Sequence, residues 1–345
     1  MTSALIFLFT LVFVYTFAVF FYPTRRLRFE PSKAQLPKSL PNLYLYSYEL
    51  HIHTQFSYDS LGKPQDIQEA MQKEGIDFAI VTDHENDHIK HFASDKVVAG
   101  VEKKINDQQG RLLGDLLEFG HYKVIAHPFK EKYRWRLPYD EEYFFELVNL
   151  KDSLLESKAR LFFFLPAVFF LSLFSVKRGL ELLKRLIRVE DYVKRYLSLG
   201  IKNRVLGGLD HHVKVYIREV GIRFLFPCYR YSFYLMRNFL VSAKRLSTKE
   251  EFLAEFGRGF HIIAFSEKPA LVWKEGLHVK VFPPKRCLLL CVADGFEKVY
   301  LGDYFEVETK QEKVFLIAYT YKLRFGRWFA GLKPMFVAML REVEK

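Results

Sequence analysis

Apolar and polar positions along the chain fall into three regimes. The first is Ala4 to Tyr22, ALIFLFTLVFVYTFAVFFY, an uncharged run that as a helix reaches about 28 Å, close to the roughly 30 Å hydrocarbon core of a bilayer. From Tyr48 onward, short apolar stretches alternate with amphipathic ones. YELHIH, FAIVT, VVAGVE, KVIAHP, FFELVNL and RVLGGLD read as strands. PQDIQEAMQKEG reads as a helix with Pro64 near its start and Gly75 as its stop. Lys177 to Gly200 reads as one long basic amphipathic helix. Strand–helix alternation predicts parallel strands in a doubly wound sheet or a barrel. After Ser266 the spacing tightens: HVKVF, CLLLCVA, EKVYLG, YFEVET and KVFLIAYTYKL are close strands with almost no helix, which predicts a small β-sandwich.

Between the first two regimes, Pro23, Pro31, Pro37 and Pro41 mark a stiff tether. The expected organisation is therefore an anchor (1–22), a linker (23–46), an α/β domain (47–265) and a β-rich domain (266–345). A cleaved signal peptide would carry basic residues before the apolar run and small residues at its end. Here RRLR, Arg25 to Arg28, follows the run, so an uncleaved single-pass anchor is expected. The positive-inside bias would then keep the C-terminal bulk in the cytoplasm. A second apolar run, Leu161 to Val176, is short and holds Pro166; it is expected to lie against the body or shallowly in the near leaflet.

Charge narrows the partners. The net charge of +12 and pI near 9.3 imply an anionic neighbour: lipid headgroups, nucleic acid or a phosphorylated substrate. Cys228, Cys287 and Cys291 make no disulfide framework or zinc knuckle.

The candidate chemistry starts at ELHIHTQFSYDS. In a strand His51 and His53 project to one face, half of a metal site. Chance supplies roughly 0.35 such pairs in a chain of this composition, so the pair needs partners. It has them: His84 after IVTD, Glu102 after VVAGV, His127 after VIA, and Asp210 with His212 after VLGGL. Each sits at the C-terminal end of a predicted strand, where (β/α) barrels build their sites. Imidazole with carboxylate suits Zn, Mn or Fe, and bridging carboxylates favour two or more ions.

HIHTQFSYD, TDH, GVE, AHP and DHH, in that order, resemble the motifs of the PHP (polymerase and histidinol phosphatase) family. FPCYRYSFYLMRNFLV and GRGFHIIAF, with the β-rich tail, are similar to its carbaryl-hydrolase-like subgroup. The resemblance implies a distorted (β/α)7 TIM-like barrel holding two or three divalent metals through His51, His53, Asp59, His84, Glu102, His127, Asp210 and His212. Asp59 is equally readable as a turn-former. Where many members carry a further His, this chain has Arg111, which cannot ligate a metal; it is either a bidentate phosphate contact or a plain surface arginine. Asp83 is expected to orient an imidazole and Ser57 to serve a turn. His88, His91 and His121 are expected at the surface, and His211 on the face opposite the pair around it.

The expected activity is metal-dependent phosphoester hydrolysis without a Ser or Cys nucleophile, with Asp210 accepting the proton of the attacking water. Two alternatives stand beside it: hydrolysis of a carbamate or carboxylic ester, and a non-catalytic metal-stabilised module binding nucleic acid or anionic lipid.

Overall fold

The computed structural model describes residues 2–37, 39–219, 222–308 and 311–341, with side chains from Leu5 onward. Met1 of the expected anchor and Thr309 of the YFEVET stretch lie outside the described residues. The first apolar run is a helix, α1 (Thr2–Phe21), with Phe7 and Phe9 71% and 75% exposed. Among the described residues, no helix is long and apolar enough to cross a membrane, which corrects the single-span expectation. The last turn of α1 is taken up by the body instead. Val19 is buried against Phe164, Leu182 and Leu186, and Arg185 donates to the carbonyls of Val19 (3.3 Å) and Phe20 (2.6 Å). These carbonyls are ones a helix end leaves without partners, and the guanidinium also suits the negative end of the helix dipole.

The proline-bearing stretch is not a free tether. β1 (Thr24–Arg26) and β2 (Glu30–Pro31) pair with strands of the C-terminal region. Then β3 (Tyr44–Ile52), α2 (Pro64–Glu74), β4 (Phe78–His84) and β5 (Val97–Asn106) build three parallel strands. Pro64 and Gly75, the latter at φ 65°, bound α2 as its sequence predicts. β6 (Leu112–Phe119) runs antiparallel to both β5 and β7 (Tyr122–Ala126), and β8 (Phe144–Asn149) lies parallel to β7. α3 (Leu150–Leu155), α4 (Lys158–Phe174), α5 (Val176–Leu183) and α6 (Val189–Ser198) lead to β9 (Val205–Gly208), parallel to β8.

The long helix expected over 177–200 is broken. A 3-10 turn at Lys184–Leu186 and an extended Ile187 (φ −76°, ψ 114°) separate α5 from α6. The apolar residues explain the break: Leu182 and Leu186 pack with α1, whereas Ile187, Val189, Tyr192, Val193 and Tyr196 pack into the main core. One straight helix cannot present a single stripe to both.

Beyond β9, the leucine–histidine segment turns back onto β3. Leu209 N–H donates to Leu50 O (2.9 Å), His211 N–H to His51 O (3.2 Å) and His53 N–H to His211 O (3.0 Å). The segment after β9 is thus hydrogen-bonded to the end of β3, which brings residues 209–211 beside residues 50–53.

The hairpin β10 (Val215–Glu219) and β11 (Ile222–Phe226) precedes α7 (Tyr229–Leu235), β12 (Arg237–Ser242), α8 (Lys249–Phe256) and β13 (Phe260–Ala264). The C-terminal strands are β14 (Leu271–Glu275), β15 (His278–Phe282), β16 (Cys287–Ala293), β17 (Phe296–Gly302), β18 (Phe305–Glu308), β19 (Lys313–Thr320), β20 (Leu323–Phe325), β21 (Trp328–Ala330) and β22 (Lys333–Arg341). β14, β15 and β18 form a small sheet packed through Val272, Val279 and Val281 on the larger one. That larger sheet is continuous with the first, because β13 pairs with both β12 and β22.

Candidate metal centre

Three of the predicted ligands sit in left-handed backbone: His51 (φ 65°), His127 (φ 48°) and Asp210 (φ 50°). That conformation is costly for a residue with a side chain and persists where surrounding structure enforces it. His51 falls at the register shift of β3 between Leu50 and Ile52. His51 and His53 therefore converge through a bulge, with ring centroids 5.2 Å apart, and not through simple strand alternation. Glu102 also differs from its expected place, standing inside β5, which continues to Asn106 as half of a hairpin.

Four imidazoles are held from behind. His51 Nδ1 meets Glu146 Oε1 (2.7 Å), His127 Nδ1 meets Asp152 Oδ2 (2.7 Å), and His212 Nδ1 meets the carbonyl of Asp210 (3.0 Å). His53 Nδ1 meets Ser57 Oγ (3.0 Å), whose own hydroxyl donates to Asp83 Oδ1 (2.8 Å). Each Nδ1 is thus placed to donate, which turns each Nε2 inward as the nitrogen that can give its lone pair to a cation.

The inward atoms of His51, His53 and His212, with both Glu102 oxygens and Asp59 Oδ1, are buried and make no hydrogen bond. They face one another closely. Glu102 lies 3.4 Å from His51, 3.2 Å from His53, 3.0 Å from His84 and 3.4 Å from His127. Asp59 lies 3.1 Å from His212 and 3.5 Å from His84, and Asp210 Oδ2 lies 3.7 Å from His127. Donors sharing a cation at about 2.1 Å are themselves roughly 3.0–3.4 Å apart. The residues fit metal ions: the groups His53–His84–His212, His51–His53–Asp210 and His51–Glu102–His127 each converge within 4.8 Å. All eight predicted ligands are therefore brought together.

Charge follows this crowding. Burial opposes the imidazolium of His51, but Glu146 and Glu102 outweigh it and hold its pKa at about 10. His53, for which burial dominates, is pushed down to about 3. Burial would raise Glu102 and Asp210, yet the histidines around them keep both well below the usual carboxylate range.

Arg111 is not in the site. Its side chain is 73% exposed at the β5–β6 turn and its Nε donates to Asp107 Oδ2 (2.7 Å), which removes it as a catalytic residue and leaves the surface reading. Asp83 does not touch an imidazole; it binds Thr54 N and Oγ1 (2.6 and 2.7 Å) and orients His53 through Ser57. His211 turns away to Ser232 Oγ (2.6 Å), and His88, His91 and His121 are exposed.

Several residues of the site went unread in the sequence. A recess of about 70 Å³ over the ligands is also lined by Lys104, Lys130, Lys151, Asp115, Tyr58 and Tyr133. Lys151 Nζ lies 3.0 Å from Asp210, and Lys130 donates to Asp152 (2.6 Å). A signal existed for two of them: Lys151 and Asp152 directly follow the apolar strand FFELVN, at the same end as the ligands. Glu146, a carboxylate within that apolar strand, was a second signal.

Asp115 is buried with Oδ1 unpartnered, and burial, then the charge of Glu102, lifts its pKa to about 6 from 3.8. A raised acid pKa favours the folded state below the unfolded value, and that contribution is lost as pH rises through about 6. In chelator-treated protein, Asp115→Asn is expected to raise Tm near pH 8 by more than near pH 5. Melting curves with equal shifts at both pH values would contradict this.

No family model and no curated protein matches the chain. A two-domain protein from Bacteroides vulgatus containing a predicted PHP-like metal-dependent phosphoesterase aligns structurally over 90% of this chain and 100% of its own, at 12% identity and a TM-score of 0.40.

Proposed function

We propose that this chain is a divalent-metal-dependent hydrolase of phosphoesters, a distorted (β/α) barrel of the PHP type attached to a membrane through α1. The observation that carries this reading is the set of four imidazoles whose Nδ1 atoms are engaged and whose Nε2 atoms face Glu102 and its neighbours. His51, His53, Glu102, His127 and Asp210 would hold two ions between them, and Asp59, His84 and His212 are the residues available to a third. Bound divalent ions supply Lewis acidity and make water acidic enough to react near neutral pH.

The chain's own groups supply the rest. Asp210 is a buried carboxylate kept charged by its neighbours, suited to take a proton from the attacking water. Lys104, Lys130 and Lys151 bring three ammonium groups to the rim of the recess, where they oppose the charge that grows on phosphoryl oxygens. A carbamate or carboxylic ester carries no such anion, so the lysine rim favours a phosphoester. The Arg25–Arg28 cluster at the base of α1 favours the anion-rich cytoplasmic leaflet.

The test is a panel of phosphomonoesters, phosphodiesters, carboxylic esters and carbamates, assayed with Mn, Zn and Fe. Lys104 is the informative lysine, because its Nζ donates to the neutral Tyr58 hydroxyl (3.3 Å) and makes no salt bridge among the described residues. Lys104→Ala is expected to raise KM for a phosphoester about tenfold with kcat little changed, and Arg111→Ala to change neither. Turnover confined to the uncharged esters would sink the substrate assignment.

A further inference from the structure

The most unusual surface of the molecule lies away from the metal centre. α1 and α4 pack side by side: Tyr15 donates its hydroxyl to Phe163 O (2.9 Å) and accepts from Ala167 N–H (3.1 Å), and Phe164 is buried against Val19. Both helices leave their other faces to solvent. Phe162, Phe169, Leu173 and Phe174 of α4 are 66–70% exposed, and α1 is apolar wherever its side chains are described up to Val14, apart from Thr10. Two adjacent apolar helices of this extent are costly in water and suit an acyl phase.

At the base of the pair lies a cavity of about 760 Å³. Phe17 and Phe21 of α1 line it together with five cations and the carboxylates of Glu190 and Asp191. Two of these cations are internally matched, Arg25 with Glu190 and Arg188 with Asp191 (2.7 Å). Three are not. Arg160 stacks over Tyr22 (5.9 Å), and neither it nor Lys194 has a carboxylate partner among the described residues. Arg185 is 6% exposed, its Nη1 spent on two carbonyls and its Nε buried without any partner. A buried guanidinium with an unmet donor, beside two unpaired cations, lacks an anion.

The surroundings match the boundary of a bilayer. Lys322 lies 4.1 Å over the ring of Phe20, and the adjoining β20–β21 hairpin exposes Phe325 and Trp328 alongside Arg324 and Arg327. Aromatic and basic side chains are enriched at that depth, where apolar chains give way to headgroups.

We propose that α1 and α4 enter one leaflet together and that the cavity at their base binds the phosphate of an anionic phospholipid through Arg160, Arg185 and Lys194. Acyl chains would lie along Phe17 and Phe21 while the headgroup meets the cations. This rests on the membrane attachment proposed above and is independent of hydrolysis. It also agrees with a topological constraint: His51 and His127 precede α4 and Asp210 follows it, yet they share one cluster, so α4 does not cross a bilayer singly.

The experiment uses the full chain purified in mild detergent and reconstituted with vesicles of phosphatidylcholine, or of an equal mixture with phosphatidic acid, then floated in a density gradient. Flotation with both vesicles is expected, with retention on the anionic ones at least about tenfold higher after a salt wash. Arg160→Gln combined with Lys194→Gln changes exposed side chains only and is expected to bring that ratio close to one while leaving flotation on phosphatidylcholine intact. Failure to float on either vesicle overturns the attachment itself. Equal retention on both, or an unchanged ratio in the double variant, overturns the headgroup site alone. Thermal stabilisation of wild type by inorganic phosphate equal to that by the anionic vesicles assigns the cavity to free phosphate and also overturns the proposal.

Discussion

Asp210→Asn is expected to lower phosphoester turnover by at least about 10³-fold with the fold retained. Asp210 is fully inside the recess, its carboxylate within 4.0 Å of His51, 3.8 Å of His53 and 3.7 Å of His127. The substitution keeps volume and shape but removes the charge that a cation needs and the basicity that a proton acceptor needs. Asp210 holds its left-handed backbone as a residue type tolerant of it, and Asn shares that tolerance, so the segment that closes onto β3 should survive. Circular dichroism and thermal melts verify that, and steady-state kinetics give the loss. Activity within tenfold of wild type would remove Asp210 from the chemistry.

Glu102→Gln is expected to act one step earlier, on metal content. Both carboxylate oxygens of Glu102 are buried without hydrogen bonds, and four imidazoles surround them at 3.0–3.4 Å. A carboxylate so placed can bridge two ions; an amide offers one oxygen, no charge, and an NH₂ that points hydrogens at the remaining ligands. The variant should bind less than one ion per chain and show no measurable turnover. It should also be less stable without metal at neutral pH, because Glu102 is held well below its usual range in the folded state. That stabilisation is present above the unfolded pKa and lost as pH falls through the folded value. Full metal occupancy in Glu102→Gln would show that the ions, if bound, sit elsewhere.

The eight residues that the structure brings together were legible in the sequence because most of them stand at or beyond the end of an apolar strand, Glu102 inside β5 being an exception. The geometry that joins them was less so. His51 lies on a bulge and Asp210 in a left-handed turn; neither leaves a periodicity to read. The motif around Arg111 left phosphate contact and surface arginine open, because a motif position takes no account of the β5–β6 hairpin, which carries residue 111 out to its exposed tip while Asp115 returns to the recess. The split of the 177–200 segment was hidden for a related reason. Its hydrophobic spacing fits one helix, and only the two separate cores reveal that Leu186 and Ile187 serve different partners. Of the lysine rim, Lys151 alone carried a signal, its place just after FFELVN, whereas Lys104 and Lys130 look like any solvated charge.

The apolar helix α1 shows the same limit from another side. Hydropathy reads the run Ala4–Tyr22 as one uninterrupted span, but Val19 and the carbonyls of Val19 and Phe20 are committed to the protein body. Tertiary contacts set how much of an apolar run is left exposed.

The most direct measurement is elemental analysis of the purified full chain, before and after treatment with chelator and reconstitution with Mn, Zn or Fe. The ligand arrangement predicts about two divalent ions per chain, restored on reconstitution, with Glu102→Gln binding fewer than one. A wild-type chain that is free of metal and takes up none on reconstitution would contradict the account at its centre.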